Sequence, residues 1–272
     1  MIPAFSGIGS IVIAIGAFSA FAGIEVSAVH AKDMKNPAKD YPKAIFISGI
    51  IILFIFALGT SAVAIIVPHS ELNLVTSLIV AFKDFFTAYN LQDLVSVVAI
   101  MICFGIIGQV STMILGVSKG FFLGAKDANL PKALQYENKN GVPYGILLLQ
   151  GSVVSLLALL FLIVPSVQGV YWFLSDLYIH IYFIMYLLLF AAAIKLRYSE
   201  PKTERKFKIP FGNIGIWIVA MIGSIASIAA FVVGLFPPTG MPKEWVTTFE
   251  TLTLGMLALA LVIPFIINRR RK

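Results

Sequence analysis

The sequence predicts an all-α membrane protein with seven transmembrane helices. Three observations lead to this fold class: most residues are apolar, the apolar residues form seven long stretches, and lysine and arginine concentrate in every second gap between those stretches. Long apolar stretches favour helices in a bilayer because a helix satisfies its own backbone hydrogen bonds where no water is present. The charge pattern then orients the helices, because short cytoplasmic loops are enriched in lysine and arginine.

Composition excludes a water-soluble domain. Of the 272 residues, 59% are hydrophobic and 12% are charged, and the mean hydropathy is +0.95. These polar side chains are too few to cover the surface of a soluble domain of this length. A helix needs about 20 apolar residues to cross a hydrocarbon core of about 30 Å. Seven stretches reach that length, at approximately residues 5–29, 44–67, 93–118, 144–164, 170–194, 213–236 and 247–267.

Eighteen of the twenty basic residues lie in four alternate gaps, in groups of four, four, six and four. The intervening gaps contain only Lys83 and Lys243. The positive-inside rule therefore predicts that the basic gaps are cytoplasmic, with the N-terminus outside and the C-terminus inside the cell (inner) membrane. The four groups are Lys32, Lys35, Lys39 and Lys43; Lys119, Lys126, Lys132 and Lys139; Lys195, Arg197, Lys202, Arg205, Lys206 and Lys208; and Arg269, Arg270, Arg271 and Lys272.

The segment at about residues 72–89 decides the helix count. Its apolar residues recur at helical spacing, but its unbroken apolar part is too short to cross a bilayer. A crossing here would also place the basic groups on opposite sides of the membrane. The pattern therefore favours an amphipathic helix that lies outside. The recurring residues are Val75, Leu78, Ile79, Phe82, Phe85, Phe86 and Tyr89.

Composition and motif spacing argue against several other kinds of site. Cys103 is the only cysteine, so no internal disulfide is expected and burial as a small hydrophobic residue is favoured. The three histidines show no metal-ligand spacing, and no metal or cofactor is expected. The net charge of +7 flanks apolar stretches, where it favours anionic lipid as a partner rather than nucleic acid. No basic residue precedes the first apolar run, which argues against a signal peptide.

A run of small residues interrupts the inner half of the first predicted span, from Gly16 to Glu25. Small residues in membrane helices often permit close packing, and Glu25 could extend to the inner interface near Lys32. An ionisable side chain at this depth is also a candidate functional group, because its charge needs a partner or a water-filled cavity. Both interpretations remain open on the residues alone.

Several motifs follow this run in a fixed order. They are Phe21-Ala22-Gly23-Ile24-Glu25, Asn36-Pro37 with Pro42-Lys43-Ala44-Ile45, Ala125-Lys126-Asp127 with Leu130-Pro131, and Gly141-Val142-Pro143. Together they resemble the second half of an amino-acid/polyamine/organocation (APC) permease. The runs 138–143, 207–210 and 236–238 are most similar to the bacterial glutamate/GABA antiporter branch. The resemblance implies a LeuT/APC-type fold of two inverted five-helix repeats plus two further helices. This chain would match helices six to twelve and lack the first five.

The resemblance also implies a substrate site and a function. The first span would be a broken helix whose carbonyls, near Ser19 and Ala22, meet the amine of a small-molecule amino acid. The carbonyl end of a half-helix carries a partial negative charge that suits an ammonium group. The chain would then belong to an antiporter that exchanges amino acids, as in glutamate/GABA exchange, by alternating access. The candidate residues at the break are Ser19, Ala20, Phe21, Ala22, Gly23 and Glu25.

Side chains from the third and fifth spans would complete this site. Tyr182 and Tyr186 match tyrosines that line the substrate path in the glutamate/GABA branch, although two packing tyrosines would show the same spacing. Gln109 and Met113 stand where that branch tends to have Glu and Trp. The Gln109 amide lacks the titratable group of a glutamate, and the Met113 thioether gives a more adaptable wall than an indole. These departures leave the identity of the transported amino acid open.

Other functions fit parts of the pattern. Seven spans with an outside N-terminus also describe a rhodopsin-like receptor or retinal protein, but the seventh span has no lysine for a Schiff base. A membrane enzyme is less favoured, because Asp176 and His180 form the only candidate acid-base pair and a satisfied polar pair explains them more simply. A non-transporting remnant, or one part of a split transporter whose second chain supplies the N-terminal helices, is a further alternative.

Overall fold

The structure, a computed structural model, describes residues 21–68, 76–127, 130–163, 167–205, 207–236 and 243–269. These residues form helices and no β-strands, which confirms the all-α class. Five helices among them are long and apolar enough to cross a membrane. Most of the first predicted span lies outside the described residues, and the apolar stretch in the last helix, Phe249–Val262, is shorter than the other five. Seven crossings and the repeat assignment therefore remain predictions.

The helices alternate with short connections. A 3-10 helix, Ile24–Asp33, comes first, and a second short one, Lys132–Leu134, lies between α3 and α4. The α-helices are α1 (Pro37–Ile66), α2 (Ser77–Ala88), α3 (Leu94–Asp127), α4 (Tyr144–Ala158), α5 (Leu160–Ile163), α6 (Val167–Ser199), α7 (Gly212–Gly234) and α8 (Lys243–Arg269). Because only Leu159 separates α4 from α5, the apolar helix continues across it to Leu162.

Proline and glycine set the ends of several helices. Pro37 is the first residue of α1, where its missing N–H would have had no helical partner. The Asn36 carbonyl accepts the N–H of Asp40 at 2.9 Å. Pro68 follows two residues after α1 ends and cannot continue it. Before α7, Phe211 is left-handed with φ 62°, which turns the chain sharply into the helix.

Four of the hydroxyl side chains inside the apolar helices bond to their own backbone. Each donates to the carbonyl four residues earlier, so no hydroxyl among them is left unsatisfied in an apolar setting. This bonding explains how serine and threonine are accommodated within these helices. The pairs are Thr60 Oγ1 to Phe56 O (2.6 Å), Ser111 Oγ to Ile107 O (2.8 Å), Thr112 Oγ1 to Gly108 O (2.9 Å) and Ser152 Oγ to Leu148 O (2.8 Å).

The chain divides into two units, of which the first comprises residues 23–168. In this unit the 3-10 helix packs against α1 and α3, and α2 packs against the same two helices. Helix α3 also contacts α4, where Ser118 Oγ donates to Gln150 Oε1 at 2.9 Å. The connection before α4 is a tight turn, because Asn138 Oδ1 accepts the N–H groups of Asn140 and Val142, both at 2.9 Å.

The second unit comprises residues 169–272 together with residues 1–22. Within it α6 lies against α7, since the Phe190 ring occupies the space beside Gly223. Helix α8 joins α6 through an edge-on contact between the Phe173 and Phe249 rings, 6.5 Å apart at their centroids. Phe173 and Phe249 are both buried and contribute to the small apolar core of this unit.

Candidate functional site

The backbone changes conformation at Gly23. Its φ of 99° and ψ of −9° are left-handed, a conformation that glycine adopts without the steric penalty of a Cβ and that commonly ends a helix. The 3-10 helix starts at the next residue, and Val26 N–H bonds to the Gly23 carbonyl at 3.1 Å. Its ten residues exceed the few residues usual for a 3-10 helix.

The other residues predicted at the break are only partly described. Phe21, Ala22 and Glu25 are half-buried, with Glu25 in the first turn of the 3-10 helix. Ser19 and Ala20 lie outside the described residues. Phe21 and Ala22 fall in the second unit, whereas Gly23 and Glu25 fall in the first. The structure thus describes the backbone geometry on the C-terminal side of the predicted break.

Two glycines of α3 allow the 3-10 helix to pack closely against it. Val26 Cγ1 lies where a side chain at Gly116 would be, and Val29 Cγ1 lies 3.2 Å from the position of a Cβ at Gly120. The two segments therefore run in the same direction, in close contact. Sequence interpretation missed these glycines, although Gly116, Gly120 and Gly124 recur every four residues, as in close-packed membrane helices.

Gln109 and Met113 lie on α3, in the same unit as Gly23 and Glu25. They precede Gly116 and Gly120 by seven residues each, which is two turns of an α-helix, so all four share one helical face. Gln109 is exposed and Met113 is half-buried. This face is the one that carries the 3-10 helix further along α3.

Tyr182 and Tyr186 lie on α6 in the second unit, within a row of rings at one-turn spacing. The centroids of Tyr178 and Tyr182 are 4.8 Å apart, those of Tyr182 and Tyr186 are 5.5 Å apart, and those of Tyr186 and Phe190 are 6.4 Å apart. Both predicted tyrosines are half-buried. Because neighbouring rings restrict one another, the row holds the two tyrosines in defined orientations.

Asp176 and His180 form a polar pair that also joins two helices. His180 is fully buried, with Nδ1 lying 3.3 Å from Asp176 Oδ1 and 2.8 Å from the Asp176 carbonyl oxygen. On the opposite side of the ring, His180 Nε2 lies 3.2 Å from the carbonyl oxygen of Phe231 on α7. The imidazole therefore ties α6 to α7, a contact that sequence interpretation did not foresee. No group of three acidic, histidine or cysteine side chains among the described residues could hold a metal ion.

Comparisons with known proteins identify transporters. The sequence model described as amino acid permease matches residues 2–263. An uncharacterised transporter of Legionella pneumophila is 39% identical over 269 residues, which are 99% of this chain and 58% of that protein. A glutamate/gamma-aminobutyrate antiporter of Lactococcus lactis is 30% identical over 98% of this chain and 54% of its own length. A probable agmatine/putrescine antiporter of the same species is 25% identical over 91% of this chain and 53% of its own.

The chain spans about half the length of the curated relatives that it matches. Its relatives are transporters, and five of its described helices are long and apolar enough to cross a bilayer, as expected of a multi-pass membrane protein. The match confirms the resemblance noted from the sequence motifs, because it extends over residues 2–263, which is almost the whole chain. The chain belongs to the amino acid permease family.

Proposed function

We propose that the chain forms part of an amino-acid antiporter that exchanges glutamate-like and GABA-like substrates by alternating access. The observation that carries the proposal is the left-handed Gly23 followed by the 3-10 helix Ile24–Asp33. A break of this kind frees backbone carbonyls from helical bonding, which is tolerated at membrane depth only where a ligand, water or protein satisfies them. Transporters place their substrates at such breaks.

The packing of the 3-10 helix on α3 supports a single site that includes Gln109 and Met113. Three residues of a 3-10 helix rise about 6 Å, as do four residues of an α-helix. Val26 faces Gly116, so one step back in the same register puts Gly23 level with residues 112–113 of α3. Met113 and, one turn beyond, Gln109 would then border the break.

The chemistry of the candidate residues fits an amino acid. Carbonyls of Ser19, Ala20, Phe21 and Ala22 would accept bonds from the substrate ammonium, and the Glu25 carboxylate would add negative charge beside them. Tyr182 and Tyr186 would form an aromatic wall of the path. The name and 30% identity of the Lactococcus lactis glutamate/gamma-aminobutyrate antiporter support the glutamate/GABA preference. Gln109 and Met113 depart from the Glu and Trp that this branch tends to have, which changes the local polarity of the site.

Transport by the complete alternating-access cycle would need helices outside those of this chain, supplied in cis or by a second polypeptide. In the cell membrane, the N-terminus would face outward and the C-terminus the cytoplasm. The amphipathic helix α2 would lie on the outer surface.

Exchange in proteoliposomes tests this function. We expect the purified chain alone to show no glutamate/GABA exchange above empty liposomes. Co-reconstitution with the first five helices of the Lactococcus lactis antiporter should produce exchange. Gly23→Ala should lower that exchange, because a Cβ at φ 99° costs about 1–2 kcal/mol, and Gly23→Asn should lower it less, since asparagine tolerates the left-handed region.

Gly124→Ala is the matched control, because a Cβ there meets nothing within 4 Å. Exchange by the chain alone would refute the need for further helices. Absence of exchange after all helices are supplied and the complex is shown to be assembled would refute the transporter and favour a non-transporting remnant. Equal exchange by wild type and Gly23→Ala would remove the break from the mechanism.

A further inference from the structure

A polar pocket of about 510 Å³ lies where α6 ends and α7 begins. Two arginines build it. Arg197 Nε donates to Asn213 Oδ1 at 2.8 Å and joins the end of α6 to the first turn of α7. Arg205 Nη2 donates to the carbonyl oxygens of Leu196 at 2.8 Å and Glu200 at 2.9 Å. Because these carbonyls close the C-terminal end of α6, the Arg205 guanidinium caps the helix and folds the connection back over it.

The pocket carries an excess of positive charge. Four basic side chains and one carboxylate line it, which leaves three more positive than negative charges. Lys202 and Lys208 make no hydrogen bond or ion pair with any residue that the structure describes, so their ammonium groups are available to a ligand. The lining charges are Arg197, Lys202, Arg205, Lys208 and Glu204.

One lysine of another basic connection is, by contrast, already paired. After α3, Lys126 Nζ pairs with Glu137 Oε2 at 3.3 Å and lies 4.1 Å from the centroid of the Phe122 ring. Neighbouring groups therefore offset its charge. Concave geometry and unpaired ammonium groups occur together at the α6–α7 pocket, and convergent cationic N–H donors of this kind bind phosphate groups.

Aromatic residues indicate the depth of the pocket. Tyr198 lines it, and the Tyr198 hydroxyl accepts a hydrogen bond from Trp217 Nε1 at 2.8 Å. Tryptophan and tyrosine are enriched where membrane helices meet water. Ile214, at the start of α7, has a side chain that is 70% exposed, and the apolar part of the helix follows it. A phosphate at this level would be that of a phospholipid headgroup, with acyl chains along α7.

We propose that the α6–α7 pocket binds the phosphate of an acidic phospholipid. Lys202, Lys208 and Arg197 supply the charge, and Arg205 holds the pocket in shape through its bonds to α6. The predicted cytoplasmic location of this connection agrees with acidic lipid as the source, because basic segments beside membrane helices attract it at about fivefold in affinity per lysine or arginine. A free phosphate anion has the same binding chemistry and must be distinguished by experiment.

Native mass spectrometry of the full chain in detergent tests the proposal. The probes are dioleoylphosphatidylglycerol, dioleoylphosphatidylcholine and sodium phosphate, added separately at equal ionic strength. We expect one phosphatidylglycerol to be retained in preference to phosphatidylcholine. Lys202→Gln/Lys208→Gln should weaken its binding roughly twenty- to thirtyfold, since two lysines are lost. Both lysines are exposed and have no described partner, so the fold should persist, as the thermal unfolding midpoint without lipid will show.

Lys132→Gln/Lys139→Gln is the matched control, because it removes the same charge from a different basic connection at exposed positions. This variant should bind phosphatidylglycerol like the wild type. Equally weakened phosphatidylglycerol binding in both double variants would show that general charge attraction, and not the pocket, holds the lipid. Retention of phosphatidylcholine as strong as that of phosphatidylglycerol would overturn an acidic headgroup. Competition by sodium phosphate at equal concentration would identify a free anion, and not a lipid, as the ligand.

Discussion

His180 shows how one buried side chain depends on the absence of another. The imidazole contacts Asp176 on its own helix and the Phe231 carbonyl on α7, and it is fully buried. Gly234, three residues after Phe231, leaves the space that the ring fills. A Cβ at Gly234 would lie 3.0 Å from His180 Cε1 and 3.2 Å from His180 Nε2. A buried polar ring is stabilised only while its partners remain in reach.

We predict that Gly234→Ala lowers the free energy of unfolding by about 1–3 kcal/mol, because the added methyl group overpacks the site and displaces the imidazole. The measurement is SDS-induced unfolding of the purified chain in mixed micelles. Gly255→Ala in α8 is the control, since its Cβ meets nothing within 4 Å. It should change stability by less than about 0.5 kcal/mol.

A double-mutant cycle identifies the cause. His180→Ala removes the ring that the new methyl group would meet, so Gly234→Ala should add little further destabilisation in that background. Full additivity of the two substitutions would contradict the proposed contact between Gly234 and His180.

At the scale of elements, the 3-10 helix is stabilised by the face on which it packs. Its sequence offers no side-chain cap at the start, and the hydroxyl of Ser27 bonds to the Ile24 carbonyl at 2.7 Å within the same turn. Close approach to α3 is possible because Gly116 and Gly120 have no side chains. The extended 3-10 geometry is thus coupled to two small residues more than eighty positions later in the chain.

We predict that Gly116→Ala destabilises this packing by about 1–3 kcal/mol, because its methyl group would overlap Val26 Cγ1 and force the 3-10 helix away from α3. Gly120→Ala should have a smaller effect, since the nearest atom, Val29 Cγ1, is 3.2 Å away. Unfolding by SDS and exchange in the co-reconstituted complex are the measurements.

The effect of Gly116→Ala should be partly reversed by Val26→Ala, which removes the methyl groups that clash. Gly124→Ala provides the baseline, because nothing lies within 4 Å of its Cβ. An effect of Gly124→Ala equal to that of Gly116→Ala would show that general loss of helix flexibility, and not the Val26 contact, is responsible.

At the scale of the molecule, the distribution of apolar surface is that of a membrane protein. No residue of α1 is buried, and Phe54, Leu58 and Ile65 are 62%, 67% and 78% exposed. Water would strongly disfavour such a surface, whereas lipid tails or further helices of a larger bundle would cover it.

We predict that the basic connections face the cytoplasm and the others face outward. In a Cys103→Ser background, Lys139→Cys and Thr203→Cys should react with a membrane-impermeant maleimide only in inverted vesicles. Gln92→Cys and Thr239→Cys should react only in right-side-out vesicles. Labelling of Gln92→Cys and Lys139→Cys from the same side would contradict the predicted crossing by α3.

Properties that depend on a few neighbouring residues were open to prediction. Apolar length predicted the helical class, because any chain buried in hydrocarbon must bond its own backbone. The motifs from Phe21 to Pro143 were sufficient to identify the family, which the match over residues 2–263 confirms. The polar pair Asp176–His180 was also visible from its spacing of four residues, since one helical turn brings such side chains together.

Contacts between distant segments could not be foreseen in the same way. Val26 with Gly116, His180 with the Phe231 carbonyl and Arg197 with Asn213 each join elements whose facing sides follow from how the helices pack. Helical periodicity tells which residues share a face, but many faces here are almost equally apolar, so periodicity does not choose the partner. That choice depends on close fit between surfaces. A missing Cβ or one hydrogen bond from a guanidinium group decides which faces meet, because the faces are almost equally apolar.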